Sequence, residues 1–391
     1  MAADNIRPRI LIADAVGMGA RHTFMPGSIG TRDEDKYWKQ AADLGDPGEE
    51  LPFSLRNSTF LSGEYVSVIL PQNVTDFAAY RRASRQGRGT KLGRAERAKV
   101  WKIVEQFRSS CVANETLTWS ARAAIAAAIL RNRDRAPFDH VLVDEAQDVH
   151  GGHWLFLRAC VAPGPNDLFI AEDSHQRIYG QRLTLSHFGI TIKGRASGKL
   201  TKNYRTTREN LEYAMGILQG QDWIGSNGEI EDDMKSYSST SGPVPEVVHC
   251  TTVAEEAAVA AERIKAWQDA ASEAGCEEPV IGVLVRTNNL VDRAVSDLED
   301  NGVLATTSAT DDGPGVHVMT MHRAKGMEFN DVVLLSVDKS VMPARDITLG
   351  LAKEERDDVL MRERALLYVA ASRARESLVV ITGEHPSELL P

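Results

Sequence analysis

The stretch "DHVLVDEAQD" (139–148) ends a short apolar run in an acidic pair, Asp144 and Glu145, with Asp148 about one helical turn further on. Two adjacent carboxylates at the carboxyl end of a strand suit a hard divalent cation and the activation of a water, the chemistry of a magnesium-nucleotide site. Such a pair needs a phosphate-cradling partner, usually a glycine-rich loop ending in Lys-Ser or Lys-Thr. No GxxxxGK[ST] occurs in the chain. "GRASGKL" has a different spacing and Leu200 after its Lys, and "GRGTKLG" lacks the Gly-Lys pair. The nearest candidate is "RILIADAVGMGARHTF" (9–24), an apolar run followed by Gly17 and Gly19.

Four more segments follow the acidic pair in order: "LFIAEDSHQRIYG" (168–180), "LTKNYRTT" (200–207), "VHVMTMHRAKGMEFNDVVLL" (316–335) and "LLYVAASRARESLVVIT" (366–382). Together with "VLVDEAQD" they resemble motifs II to VI of superfamily 1 DNA helicases of the UvrD/Rep type, over about residues 138–382. The resemblance implies two RecA-like parallel-sheet lobes of the P-loop NTPase/helicase fold, ATP and Mg²⁺ as cofactors, and single-stranded or partly duplex DNA as partner.

Roles follow from the matching positions. Asp144 matches the metal carboxylate and Glu145 the residue that orients and deprotonates the attacking water. Gln176 matches a glutamine at the γ-phosphate, where an amide can donate to one group and accept from another. Tyr204 resembles the ring that stacks on adenine, and Arg205 and Arg373 resemble arginine fingers, whose planar forks neutralise charge on a transferred phosphoryl group. Gly326 permits close backbone approach, and Glu328 matches a ribose-binding carboxylate. Tyr179 matches an aromatic that stacks on single-stranded DNA, a contact worth about 1–3 kcal/mol per base. Thr320 and His322 match positions near the DNA backbone. Two departures stand out: Gln181 replaces a second aromatic, and Glu172 stands where glycine is typical.

The resemblance also bears on "DAVGMGARH", which looks like the family's "ADxxGxGKT" with Ala20 and Arg21 in place of Lys and Thr. Such a loop lacks the ammonium that reaches the β- and γ-phosphates and the hydroxyl that ligates Mg²⁺. The expectation is a first lobe incomplete through truncation or decay at this loop, a working atypical loop being the lesser alternative. The functional expectation is an ATP-dependent DNA helicase or translocase, 3′-to-5′ by resemblance and impaired at this loop. The rival is a catalytically inactive DNA-binding or nucleotide-sensing remnant.

The elements that must position these residues read as α/β. Short apolar runs, among them "PVIGVLVR", "GVHVMTM", "DVVLLSV" and "SLVVITG", alternate with helical patterns such as "VAEEAAVAAERIKAWQDAASEAG", which implies parallel sheets covered by helices. A break near "KGRASGK" (193–199) divides the 391 residues into a first lobe over 1–198 and a second over 199–391. Between Arg205 and Val316 lie about 110 residues, enough to complete one α/β lobe and too few for a large inserted accessory domain.

Net charge is -10, but charge is unevenly spread. Residues 81–102 carry nine basic side chains against the single acid Glu96, and end near Trp101. This run, within a helical accessory segment at about 75–130, offers Arg85, Arg88 and Lys91 as phosphate-backbone contacts; a solvated helix face is the plainer alternative. Four scattered cysteines without a CxxC pair fit neither a zinc knuckle nor a disulfide framework. No apolar run approaches the ~20 residues of a membrane span, and the N-terminus lacks a secretory pattern, which places the protein in the cytoplasm.

Overall fold

A computed structural model describes residues 27–85, 88, 90–179, 183–192, 197–231, 236–307, 314–344, 347–351 and 353–391. The glycine-containing loop with Gly17 and Gly19, and also Gln181, lie outside these residues.

The first lobe opens with β1 (Gly27–Ser28) and a run of helices: α1 (Thr31–Gly45), α2 (Phe53–Arg56), α3 (Ser58–Glu64), α4 (Phe77–Arg82) and α5 (Arg94–Ala113). In α5, Val100, Val104, Phe107 and Cys111 recur three or four positions apart and, with Trp101 beside them, are buried, forming the stripe that a helix needs to join a core. Trp38 of α1 stacks on Phe107 with ring centroids 3.6 Å apart, and Trp101 packs on Tyr80. Trp101 is therefore part of this core.

The α/β part of the lobe follows as β2 (Thr116–Leu117), α6 (Trp119–Arg131), β3 (Val141–Val143), α7 (Gly151–Ala159) and β4 (Leu168–Ile170). β3 and β4 are parallel and in register, Leu142 beside Phe169. Helices α6 and α7 meet at Gly152, where an added Cβ would lie 2.2 Å from the Ser120 carbonyl oxygen.

The second lobe contains β5 (Lys202–Asn203), α8 (Arg208–Leu218), β6 (Tyr237–Ser238), β7 (Glu246–His249), α9 (Val253–Glu273), β8 (Val280–Val285), α10 (Asn288–Asp300), β9 (Ala305–Thr306), β10 (Gly315–Thr320), β11 (Phe329–Leu334), α11 (Lys353–Ala371) and β12 (Ala374–Thr382). Its six-stranded sheet has the order β7-β12-β11-β8-β10-β9 and is parallel at every pairing. Side chains of α8 and α11 join the apolar cluster on one face, and those of α9 and α10 join the cluster on the other. Burial on both faces is why its central strands read as continuous apolar runs rather than alternating ones. At Gly282 an added Cβ would sit 2.7 Å from the Phe329 ring, so β8 and β11 pack through a position only glycine fills.

The fold is α/β with parallel sheets of the RecA-like kind. Its two parts share a core where Ile178, just beyond β4, is buried in the second lobe's cluster with Leu366 and Tyr368.

Candidate functional site

Strands β3 and β4 extend their ladder past their ends, Ala171 donating its N–H to the Val143 carbonyl and Ala146 to that of Ala171. This sets the acidic pairs Asp144-Glu145 and Glu172-Asp173 at the carboxyl ends of neighbouring strands. Glu145 has left-handed backbone, φ 50, a conformation uncommon for a residue with a Cβ. Asp144 Oδ1 accepts the Glu145 N–H at 2.9 Å, and both carboxylates are exposed.

A short polar chain joins the two loops. Gln147 Nε2 donates to Glu145 Oε2 at 2.6 Å, while its Oε1 accepts the Asp173 N–H at 3.1 Å. Gln176 Nε2 donates to Asp173 Oδ2 at 2.8 Å, so that side-chain amide is held within its own loop. Burial by itself would raise the Asp173 pKa, but the hydrogen bonds and charge of His175, with the Gln176 amide, hold it below the ordinary value. Glu172, in the position where glycine is typical of the resembling family, accepts the N–H and hydroxyl of Ser226 and so ties this loop to the segment after α8.

The second lobe supplies the facing groups. The turn after β10 carries Thr320, His322, Lys325 and Gly326. Thr320 is buried and its Oγ1 accepts the Arg323 N–H within that turn. The His322 carbonyl accepts the Tyr179 hydroxyl at 3.3 Å, and the two rings lie 5.8 Å apart. Tyr179 remains 43% exposed, which leaves ring surface for stacking. Burial, with the Arg286 charge adding to it, pulls the His322 pKa down. Gly326 has φ +85, the conformation that favours glycine there.

Lys325 crosses to the first lobe. Its Nζ lies 2.5 Å from Asp148 Oδ2, 2.8 Å from the Gln176 carbonyl oxygen and 3.3 Å from Glu145 Oε2. The sequence reading passed over this residue, although it directly precedes Gly326.

Arg205 Nε lies 2.5 Å from Glu328 Oε1, which brings together two of the expected nucleotide-binding residues. Asn203 Oδ1 fixes the turn beneath them by accepting the Arg205 and Thr206 N–H groups. Tyr204 is 77% exposed, with the Lys202 ammonium 4.5 Å above its ring. Arg373 is the most enclosed of the set at 2% exposure. Its guanidinium donates to the Val369 and Met327 carbonyls and to Ser372 Oγ, clamping the end of α11 to the turn before β11. Burial, then the neighbouring Arg205 charge, lowers its pKa.

The basic run divides. Arg85 makes a two-point bond to Glu64, Arg88 bonds to Glu64, the Phe60 carbonyl and Glu355, and Arg97 caps the end of α4 through the carbonyls of Tyr80, Arg81 and Ala83. Lys99 pairs with Glu50. The expectation that Arg85 and Arg88 face DNA therefore meets a structure in which both guanidinium groups are turned into the lobe around a buried carboxylate. Arg81, Arg82, Lys91, Arg94 and Lys102 are exposed.

Two stretches match known families. Residues 67–189 match the UvrD/REP helicase N-terminal domain, and residues 304–385 match the UvrD-like helicase C-terminal domain. An 83-residue stretch is 36% identical to the ATP-dependent DNA helicase PcrA of Staphylococcus aureus, covering 21% of this chain and 11% of that protein. The PcrA of Staphylococcus epidermidis matches with the same identity and coverage. The matching stretch thus spans about a tenth of these relatives. The C-terminal domain of a possible DNA helicase from a Lactobacillus is 18% identical over 48% of this chain and 91% of that one; its TM-score of 0.34 is too low to bear on the fold. Helicase domains of the UvrD/Rep type, N-terminal and C-terminal, are both present in this chain.

Proposed function

We propose that the chain is the two-lobe core of an ATP-dependent DNA helicase or translocase, with lobes at 1–198 and 199–391 and its nucleotide site between them. The observation that carries this reading is the convergence of Glu145 and Asp148 from the first lobe on Lys325 of the second, one residue from Gly326 and three from the Arg205–Glu328 pair. Carboxylates of one lobe set against cationic groups of the other suit a magnesium nucleotide.

The residues present fit such a cofactor in part. Asp144 is an exposed hard-oxygen donor at a strand end, with one oxygen engaged by a backbone N–H, and would hold Mg²⁺. The metal would neutralise phosphate charge. Glu145 would orient a water and take its proton, Arg205 and Arg373 would stabilise charge on the transferred group, Glu328 would hold the ribose and Tyr204 the base. Tyr179 and His322 would line the DNA path with the exposed Lys91. Direction of movement, 3′-to-5′, follows the resemblance. Among the described residues no helix is long and apolar enough to cross a membrane, and we place the activity in the cytoplasm.

A second reading rests on Ala20 and Arg21, which stand where Lys and Thr are usual. Here the chain binds DNA or nucleotide without turnover. DNA-stimulated ATP hydrolysis by the purified chain separates the two. Turnover that disappears in Glu145→Gln supports the enzyme; absence of turnover at every DNA concentration leaves the non-catalytic reading.

A further inference from the structure

The ammonium of Lys325 has three N–H groups and meets three acceptors, all on the first lobe: Asp148 Oδ2, the Gln176 carbonyl and Glu145 Oε2. Its side chain is 9% exposed. Together these contacts make a buried, fully satisfied bridge between the loops after β3 and β4 and the turn after β10.

The three contacts are unequal. Asp148 is the closest and is the more enclosed carboxylate, 22% exposed against 53% for Glu145. Burial pushes the Asp148 pKa up, and the Lys325 hydrogen bond and charge are the largest influences opposing it. Glu145 Oε2 is shared, accepting the Gln147 amide at 2.6 Å and the ammonium at 3.3 Å. Two donors thus occupy Oε2, so a water can hydrogen-bond to that oxygen only where one of them has moved away.

We infer that Lys325 is a positioning residue that latches the lobes through Asp148 and occupies one oxygen of Glu145, so that Asp148 is the anchor of the latch and Glu145 its releasable arm. The inference rests on the ATPase reading only where it concerns Glu145; the latch itself concerns the two lobes. An event that draws the ammonium away from Glu145 while Asp148 retains it opens Glu145 Oε2 without separating the lobes. Asp148 thereby becomes the residue on which coupling between lobes depends.

The test uses the full chain with two spin labels. One is on the exposed native Cys276 in the second lobe; the other three cysteines are buried. The second is on Arg133→Cys in the exposed turn after α6. The labelled parent should show one narrow cross-cleft distance. Lys325→Met and Asp148→Asn should each broaden it, the double change no more than either alone, while Lys325→Arg and Glu145→Gln should keep it narrow. A Lys325→Met distribution indistinguishable from the parent overturns the latch. Asp148→Asn removes the same contact from the other lobe, so failure of one variant to fold leaves the other to decide.

Hydrolysis supplies the second arm. Without DNA, Lys325→Met should raise kcat about fivefold, a size suited to losing a partly screened ion pair, with a smaller change in KM. A fall in kcat overturns the releasable arm at Glu145. If no variant hydrolyses ATP at all, the enzyme reading fails and the distance measurement decides the latch by itself.

Discussion

Arg85 and Glu64 face each other through two parallel contacts, Nε to Oε1 at 2.7 Å and Nη2 to Oε2 at 2.9 Å, inside the helical part of the first lobe. Arg88 and the Tyr80 hydroxyl complete the set around the same carboxylate. Glu64 is fully buried. Burial alone would raise its pKa, but the hydrogen bond and charge of Arg85, with those of Arg88 and Tyr80, bring it below the ordinary 4.5. A lowered carboxylate pKa contributes stability above the unfolded value and loses it as pH falls through the folded one. Glu64→Gln strips the compensation from two buried guanidinium groups and should cost about 3–5 kcal/mol at pH 7, measured by denaturant unfolding. The difference from the parent should shrink on acidification below about pH 4.5.

If the basic run contacts DNA, the contact falls to the groups that remain outside, Lys91 and Arg94 among them. Lys91→Ala and Arg94→Ala should weaken binding to single-stranded DNA similarly for all sequences. Each should reduce the slope of log affinity against log salt by about 0.7, the value for one phosphate contact on a single strand. An unchanged slope in the double variant would show these side chains to be a solvated face.

The Arg205–Glu328 pair gives two distinguishable outcomes. If Arg205 acts on the transferred phosphoryl group, Arg205→Ala should lower kcat by about 10³ while KM for ATP moves little. If Glu328 holds the ribose, Glu328→Ala should mainly raise KM. Equal effects from both changes, with no further loss in the double variant, would reduce Arg205 to a partner for Glu328.

The second lobe was legible in the sequence because parallel strands covered on both faces become unbroken apolar runs. "VIGVLV" and "DVVLL" could be little else. The two-residue strands β1, β2, β5 and β6 carry no such signal, and their pairing depends on neighbours far along the chain. Motif residues near one another in sequence, such as Tyr204 and Arg205, were found readily. The Arg85–Glu64 pair was not legible, because composition does not show which guanidinium meets a carboxylate 21 residues earlier. Lys325 was missed for the same reason at greater range, its anchor Asp148 lying 177 residues away in the other lobe. Local charge patterning reports how many cations a segment has, and the tertiary fold decides which are spent inside.

Asp331 offers a stability test independent of any activity. It is buried in β11, and burial, with the Glu376 charge adding to it, raises its pKa from 3.8 to about 6 in spite of hydrogen bonds to Ser377. The folded state therefore holds a proton that the unfolded chain releases between these values. Stability falls as pH rises through that window, and the deficit is complete above the folded value. A shift of this size corresponds to at most about 3 kcal/mol, reduced by whatever relaxation accompanies ionisation. Asp331→Asn keeps the shape and a hydrogen-bonding side chain without the charge. Its melting temperature should exceed that of the parent at pH 8, and the advantage should disappear toward pH 4. A parent protein whose stability is flat across this window, with Asp331→Asn showing no gain at pH 8, would mean that Asp331 ionises inside the sheet without penalty.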